Sequence, residues 1–284
     1  MPKEKKNKDK KNLPMEDVQK ISLEILKFIA NICEREGFRY CLMYGTLIGA
    51  IRHKGFIPWD DDVDIMMPRP DYEKFLRYAH SHKDEFAPYE IFNREVNSEY
   101  IYSITRVSDS RYIIDKEDEK NCGMGIFIDI YPYDGLGDDK ANALKILART
   151  NYLCNKIFDI TRTNIKIPKT LNLKGKITFW LGRRFSSLRG VDYYINKLNK
   201  NKKKFTFDSS TYVGPAMWFF TRPEKVLFER SIFDNLIKVP FEDGEFFVPA
   251  DYDKLLTQEY GDYMKLPPVE KRIYHHQYKA YKKD

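Results

Sequence analysis

The chain has 284 residues, 42% of them hydrophobic and 32% charged, enough apolar material for one large domain or two small ones. Its 20 Tyr and 19 Phe exclude a chain disordered beyond its termini. A net charge of +7 suits a polyanionic substrate such as a nucleotide, and with no basic–aromatic repeat past the first residues it does not point to nucleic acid.

Residues 1–12, MPKEKKNKDKKN, are mostly charged and are expected to form a disordered basic tail. They do not form the apolar leader of a secreted protein. No apolar run reaches the roughly 20 residues that span a bilayer. The expected location is cytoplasmic, including the inner face of a membrane. Cys33, Cys41, Cys122 and Cys154 lie far apart without a C-x-x-C spacing, so free thiols are expected.

Met15–Glu36 carries Val18, Ile21, Leu23, Ile25, Leu26, Phe28, Ile29 and Ile32 as a broad apolar stripe, the mark of an amphipathic helix, and Gly37 can stop it. Tyr40–Tyr44 reads as a short buried strand broken by Gly45-Thr46. Leu47–Ile51 then reads as a short helix with Thr46 at its start. A helix start offers free backbone N–H groups and partial positive charge, which suit phosphate. Arg52, His53 and Lys54 add positive charge there, and Gly55 and Pro58 mark a turn.

Trp59–Met66 contains four aspartates. Val63 and Ile65 point to a strand, on which Asp60, Asp62 and Asp64 share one face and Asp61, Val63 and Ile65 the other. Three like charges on one face repel unless a cation sits among them. Hard divalent ions such as Mg²⁺ or Mn²⁺ take carboxylate oxygens, commonly with substrate phosphates. The plainer alternative is an acidic loop whose charges are solvated. The phosphate-suited turn just before it favours a metal–phosphate site.

Further along, Pro70–Leu76 starts a helix, and Glu90–Asn93 and Tyr100–Val107 read as strands. Arg106 is expected at an exposed strand end, either reaching phosphate or simply solvated. Ile126–Ile130 is a near-continuous apolar strand interrupted by Asp129, which is costly to bury unless paired with an Arg or bound to a metal. Asp134 is assigned to a turn. Residues 136–205 look helical, with Ala141–Phe158 as one helix. Thr170–Leu188 mixes Phe179, Trp180, Leu181 and Phe185 with Lys174, Lys176, Arg183 and Arg184. Such a helix ordinarily packs within its own protein, and peripheral contact with a membrane surface is the alternative. Lys238–Pro249 reads as a hairpin turning at Asp243-Gly244, and Tyr252–Tyr260 as a helix ended by Gly261.

The stretch GTLIGAIRHKGFIPWDDDVDI, residues 45–65, closely resembles the signature of the LicD family of phosphocholine and related phospho-alcohol transferases. Residues 260–268 and 271–276 resemble the family's C-terminal pattern, whereas 140–205 carries little of it. The resemblance implies an α/β (α+β) fold, a nucleotidyltransferase-like mixed sheet. Its catalytic core spans 13–135, and a mostly helical C-terminal region, 136–284, completes the same domain.

It also implies transfer of a phospho-alcohol from a CDP-linked donor to a hydroxyl of a cell-surface glycan or glycolipid precursor, with Mg²⁺ or Mn²⁺ and release of CMP. On this pattern Asp62, Asp64 and Asp129 are the catalytic, metal-holding carboxylates, with Asp129 alternatively the base. Gly45 and Thr46 touch phosphate, and Arg52 and Lys54 offset diphosphate charge. Asp60 orients a metal-bound water or Arg52, and His275 completes the substrate-binding set. The competing functions are a nucleotidyltransferase releasing pyrophosphate and an inactive nucleotide-binding protein. The sequence does not name the transferred alcohol or the acceptor.

Overall fold

The computed structural model describes residues 11–94, 96–97, 100, 102–116, 122–162, 172–202, 204–215, 217–219, 221–272 and 278–283. His275 and residues 1–10 lie outside this set. Asn12 does not belong to a free tail: its Oδ1 accepts from the amide of Ala280 at 2.9 Å, and Leu13 N donates to Ala280 O at 2.9 Å.

Apolar residues at helical spacing give α1 (Met15–Glu36), whose inner stripe of Val18, Ile21, Ile25, Leu26 and Ile29 is buried. Gly37 closes it in the left-handed conformation, φ 69°, a position that suits a residue without Cβ. The strands follow as β1 (Cys41–Leu42), β2 (Asp64–Pro68), β3 (Tyr89–Phe92), β4 (Thr105–Asp109), β5 (Tyr112–Lys116) and β6 (Phe127–Gly137). Between them lie α2 (Tyr44–Arg52), α3 (Arg69–Ser81) and α4 (Lys83–Phe86). The second half opens with three helices, α5 (Lys140–Thr161), α6 (Leu173–Arg189) and α7 (Val191–Lys202). It then adds β7 (Tyr212–Pro215), α8 (Pro223–Val226), β8 (Phe228–Glu229), β9 (Leu236–Phe241), β10 (Gly244–Pro249), α9 (Tyr252–Tyr260) and β11 (Tyr278–Lys282).

The main sheet is mixed, in the order β1-β2-β6-β4-β3. β2 and β6 run parallel, and β1, β4 and β3 are antiparallel to their neighbours. β6 is long enough to hold two partners on one edge: its first residues pair with β4 and its last with β7, which pairs with β8. The C-terminal half is therefore built into the main sheet. β11 likewise returns to pair with β5. One large core joins α1, the sheet and the β9–β10 hairpin, and a smaller one joins α5 to α7 through Leu153, Cys154, Ile157, Tyr194 and Leu198. None of the four cysteines is in a disulfide with another described residue, and all but Cys122 are buried. No helix among the described residues is long and apolar enough to cross a membrane.

Several local expectations change. Residues 60–63 are not strand, because β2 begins at Asp64, so Asp60, Asp62 and Asp64 do not share a strand face. Gly45 and Thr46 do not break the chain ahead of a helix. They lie inside the first turn of α2, which starts at Tyr44. Asp134 is a buried residue of β6 rather than a turn residue. The hairpin turns at Glu242-Asp243, one residue early, with Glu242 at φ 54°. Lys54 (φ 60°) and Phe56 explain why: Glu242 N donates to Lys54 O at 2.8 Å, and Glu242 Oε1 accepts from Phe56 N at 2.9 Å.

Candidate active site

The site forms where the two parallel strands begin. β2 and β6 are in register with Asp64 opposite Asp129, and Asp129 N donates to Val63 O at 2.8 Å. Adjacent Cα partners on parallel strands send their side chains to the same face. The expected approach of Asp64 and Asp129 is thus met, through the ladder itself. Thr46 sets the entry to β2 by accepting from Asp64 N at 2.8 Å through Oγ1. The Thr46 hydroxyl is therefore a buried structural acceptor. Tyr44, just before it, takes the left-handed φ of 51° that a non-glycine residue adopts only under constraint. Its hydroxyl lies 3.1 Å from that of Tyr133.

The loop ahead of β2 brings three more carboxylates together. One oxygen each from Asp60, Asp61 and Asp62 lies within 4.8 Å of the others. Asp60 and Asp61 are buried. The Asp60 carboxylate sits against the first turn of α2, where a Cβ on Gly45 would come 2.4 Å from Asp60 Oδ2. A glycine at 45 is what allows this approach, so at that turn the neighbour of Gly45 is a carboxylate. Gln19 Nε2 holds the backbone by donating to Asp60 O at 2.8 Å.

Charge is poorly balanced here. Burial, then the charges of Asp62, Asp129 and Asp60, push the Asp64 carboxyl well above the usual carboxylate range. Burial lifts Asp60 from 3.8 to about 6. Asp64 Oδ1 is buried with no hydrogen-bond partner among the described residues. Such an atom costs free energy unless something outside the chain satisfies it, and a divalent cation would do so while relieving the repulsion. The donor set fits a hard metal, since Asp60, Asp61 and Asp62 offer only carboxylate oxygens; Asp64 and Asp129, expected with Asp62 as the metal-holding set, are outside this close group and Asp64 meets it through charge.

Asp129 differs from its neighbour. Its Oδ1 accepts from Arg106 Nε at 2.6 Å, and both side chains are 3% exposed. Arg106 is therefore not an exposed strand end. It sits in the middle of the sheet, its guanidinium 4.2 Å from the Tyr102 ring and 4.0 Å from the Phe127 ring. Asp129 Oδ2 is held more loosely, at 3.4 Å from Arg106 Nη2 and 3.4 Å from the Tyr131 hydroxyl.

The basic group after α2 is also partly committed. Arg52 Nη1 donates to Tyr263 O at 2.5 Å, and Arg52 Nε to His53 Nε2 at 2.9 Å. Burial and the nearby charge of Arg272 lower the Arg52 pKa. Arg272 lies 5.2 Å from the Trp59 ring, next in chain to Asp60. Lys54 is exposed.

Sequence reasoning missed Asp61, Arg272 and Glu259. Glu259 of α9 is buried, its carboxyl raised to about 8 by burial, and its charge reaches Tyr44 and Tyr260. Arg272 belongs to a quoted C-terminal stretch and Glu259 lies just before one. Nothing local marks Arg272 as a neighbour of Trp59 or Glu259 as a neighbour of Tyr44.

Residues 37–170 match the family model described as LicD/FKTN/FKRP, nucleotidyltransferase domain. The lipopolysaccharide cholinephosphotransferase LicD of Haemophilus influenzae is 31% identical over 277 residues, covering 95% of this chain and 99% of that protein. The ribitol 5-phosphate transferase FKRP of Homo sapiens is 45% identical over 42 residues, 15% of this chain and 8% of that protein. An uncharacterized Rickettsia typhi protein is 30% identical over 122 residues, 43% of this chain and 37% of that protein.

Proposed function

The chain belongs to the LicD family of phosphotransferases, and from that membership we propose that it transfers phosphocholine, or a closely related phospho-alcohol, from a CDP-linked donor to a hydroxyl of a lipopolysaccharide-type glycan, releasing CMP. One observation carries the chemistry. Asp64 Oδ1 is buried without a partner among the described residues, beside Asp60, Asp62 and Asp129, in a chain similar along its length to a cholinephosphotransferase.

Asp60, Asp61, Asp62 and Asp64 would hold Mg²⁺ or Mn²⁺. Bound there, the ion would neutralise charge on the transferring and leaving oxygens of the diphosphate. Arg106 fixes Asp129 through Oδ1, leaving Oδ2 as the atom that takes the proton of the acceptor hydroxyl. The acceptor oxygen bonds to the phosphorus bearing the alcohol, and the bond from that phosphorus to the bridging oxygen breaks. The electron pair leaves with CMP. Arg52, already directed by Tyr263 O, and Arg272 beside Trp59 supply positive charge for the diphosphate, with Lys54 on the exposed rim. Gly45 keeps the α2 turn close to Asp60, and Thr46 fixes the start of β2.

The test is incubation with labelled CDP-choline or labelled CTP, each with Mg²⁺ and lipopolysaccharide. CMP and labelled lipopolysaccharide from CDP-choline are expected. Pyrophosphate from CTP would assign the chain to nucleotidyl transfer. No product from either, together with tight CDP-choline binding, would leave a nucleotide-binding protein.

A further inference from the structure

α6 is built inside out. Six large apolar side chains on it are exposed: Leu173 74%, Ile177 52%, Trp180 61%, Leu181 52%, Phe185 68% and Leu188 75%. At about 100° per residue these six fall within one arc of about 140°, so they form a continuous outward stripe and not scattered surface residues. The side turned to the protein carries buried Ser186 and half-buried Phe179 and Arg183. Arg183 Nη2 ties the helix down by donating to Arg162 O at 2.9 Å. No residue of α6 belongs to either hydrophobic core. The ordinary expectation that this helix packs its apolar residues within the protein is thus overturned.

The charge pattern selects the occupant. Residues 173–189 contain Lys174, Lys176, Arg183, Arg184 and Arg189 and no Asp or Glu. Lys174, Lys176, Arg184 and Arg189 are exposed. Lys174 and Arg184 fall within the apolar arc itself. Their long stems can lie along an apolar surface while the charged heads reach its polar boundary. A second copy of α6 laid on the first would set five positive charges against five with none of opposite sign. An anionic lipid surface meets both features, taking the apolar stripe to acyl depth and the cations to headgroup depth, with Trp180 at the boundary.

We propose that α6 docks the protein peripherally on anionic membranes, its Leu173–Leu188 stripe in the bilayer interface and its lysines and arginines on the headgroups. The inference goes beyond the reaction proposed above and does not rest on it.

Flotation of the full chain, without nucleotide or metal, tests it on vesicles of phosphatidylglycerol and phosphatidylcholine in equal parts and on pure phosphatidylcholine. Wild type is expected to float with the mixed vesicles and to remain behind with the neutral ones. Trp180→Ser with Phe185→Ser should lower the floated fraction at least about tenfold, and so should Lys174→Glu with Arg184→Glu. These side chains are exposed, so circular dichroism should be unchanged. As a variant that keeps an aromatic side chain, Trp180→Phe should abolish the fluorescence quenching that brominated lipid produces in the wild type. Equal flotation on both vesicle types, flotation unchanged in the double variants, or quenching unchanged in Trp180→Phe would overturn the proposal. So would a failure to float accompanied by a dimer in gel filtration that the Trp180/Phe185 variant dissolves, which would give the stripe to a second copy.

Discussion

β2 and β6 lie side by side in one sheet and treat their buried aspartates in opposite ways. On β6, Asp129 is matched by Arg106, and Asp134 is matched by Arg69, whose Nε and Nη2 donate to its two oxygens at 2.7 and 2.8 Å. On β2, Asp64 has an oxygen with no partner among the described residues and three carboxylates around it. A buried charge with a fitted counter-charge is compatible with a purely structural role. A buried charge left unbalanced beside others is a cost that folding alone does not explain. The contrast separates aspartates that carry their own counter-charge from one that does not, which burial cannot do, since Asp64, Asp129 and Asp134 are all 5% exposed or less.

The strongest way to break the contrast is to remove a counter-charge. Arg106→Met strands Asp129 in the sheet and should cost about 3–5 kcal/mol of unfolding free energy. Replacing both Arg106 and Asp129 by apolar residues should recover most of that loss while leaving the protein inactive. A single variant as stable as wild type in urea would show that the pair is not buried as described.

On the other strand the sign should reverse. Asp64→Asn removes one of several crowded charges, so in EDTA its urea midpoint should equal or exceed that of wild type. Its turnover of CDP-choline should fall by about a thousandfold or more, worth about 4 kcal/mol. Adding Mg²⁺ and donor should raise the midpoint of wild type more than that of the variant. An equal rise in both would remove Asp64 from the metal set.

The same crowding has a pH signature. Asp60 ionises near 3.8 when unfolded and at about 6 when folded, so between these values the unfolded state holds fewer protons. Its contribution to stability is present in full below about pH 4 and is lost as pH rises towards 6 and beyond. From about two pH units the loss is at most about 3 kcal/mol. Metal-free Asp60→Asn should show a flatter fall between pH 4 and 7 in denaturant titrations. A slope identical to that of wild type would show that Asp60 is not raised.

The smallest effects belong to the rim. Arg52→Ala removes hydrogen bonds to Tyr263 O and His53, and should cost about 1–2 kcal/mol of stability as well as donor affinity. Lys54→Ala should leave stability within about 0.5 kcal/mol and weaken CDP-choline binding about tenfold or less. Calorimetric titration separates the two, and unchanged donor affinity in both variants would place the diphosphate elsewhere.

Much of the fold was legible in local order. The 3.6-residue stripe of 15–36 returns as α1 with the same ends, and Ala141–Phe158 lies within α5. The apolar run at Ile126–Ile130 returns in β6. The carboxylates of the site were visible too, because four aspartates in five residues and one aspartate in an apolar strand are unusual in themselves. What those carboxylates do to one another was not legible. Val63 and Ile65 suggested a strand through 60–66, but pairing begins only at Asp64 with β6 and at Ile65 with β1, so the loop before it folds back on α2. The rest depends on partners remote in sequence. Arg106 reaches Asp129 across 23 positions, Arg69 reaches Asp134 across 65, and Arg52 meets Tyr263 across 211. Composition likewise marked 170–188 as a basic amphipathic helix but not the direction its apolar residues face. Side-chain spacing is a property of the local backbone, whereas burial and charge compensation belong to whatever the fold sets against it. The sequence alone thus determined α1, the body of α5, the apolar run of β6 and the family, and the tertiary structure decided which aspartates are balanced, which is not, and which helix turns its apolar face outward.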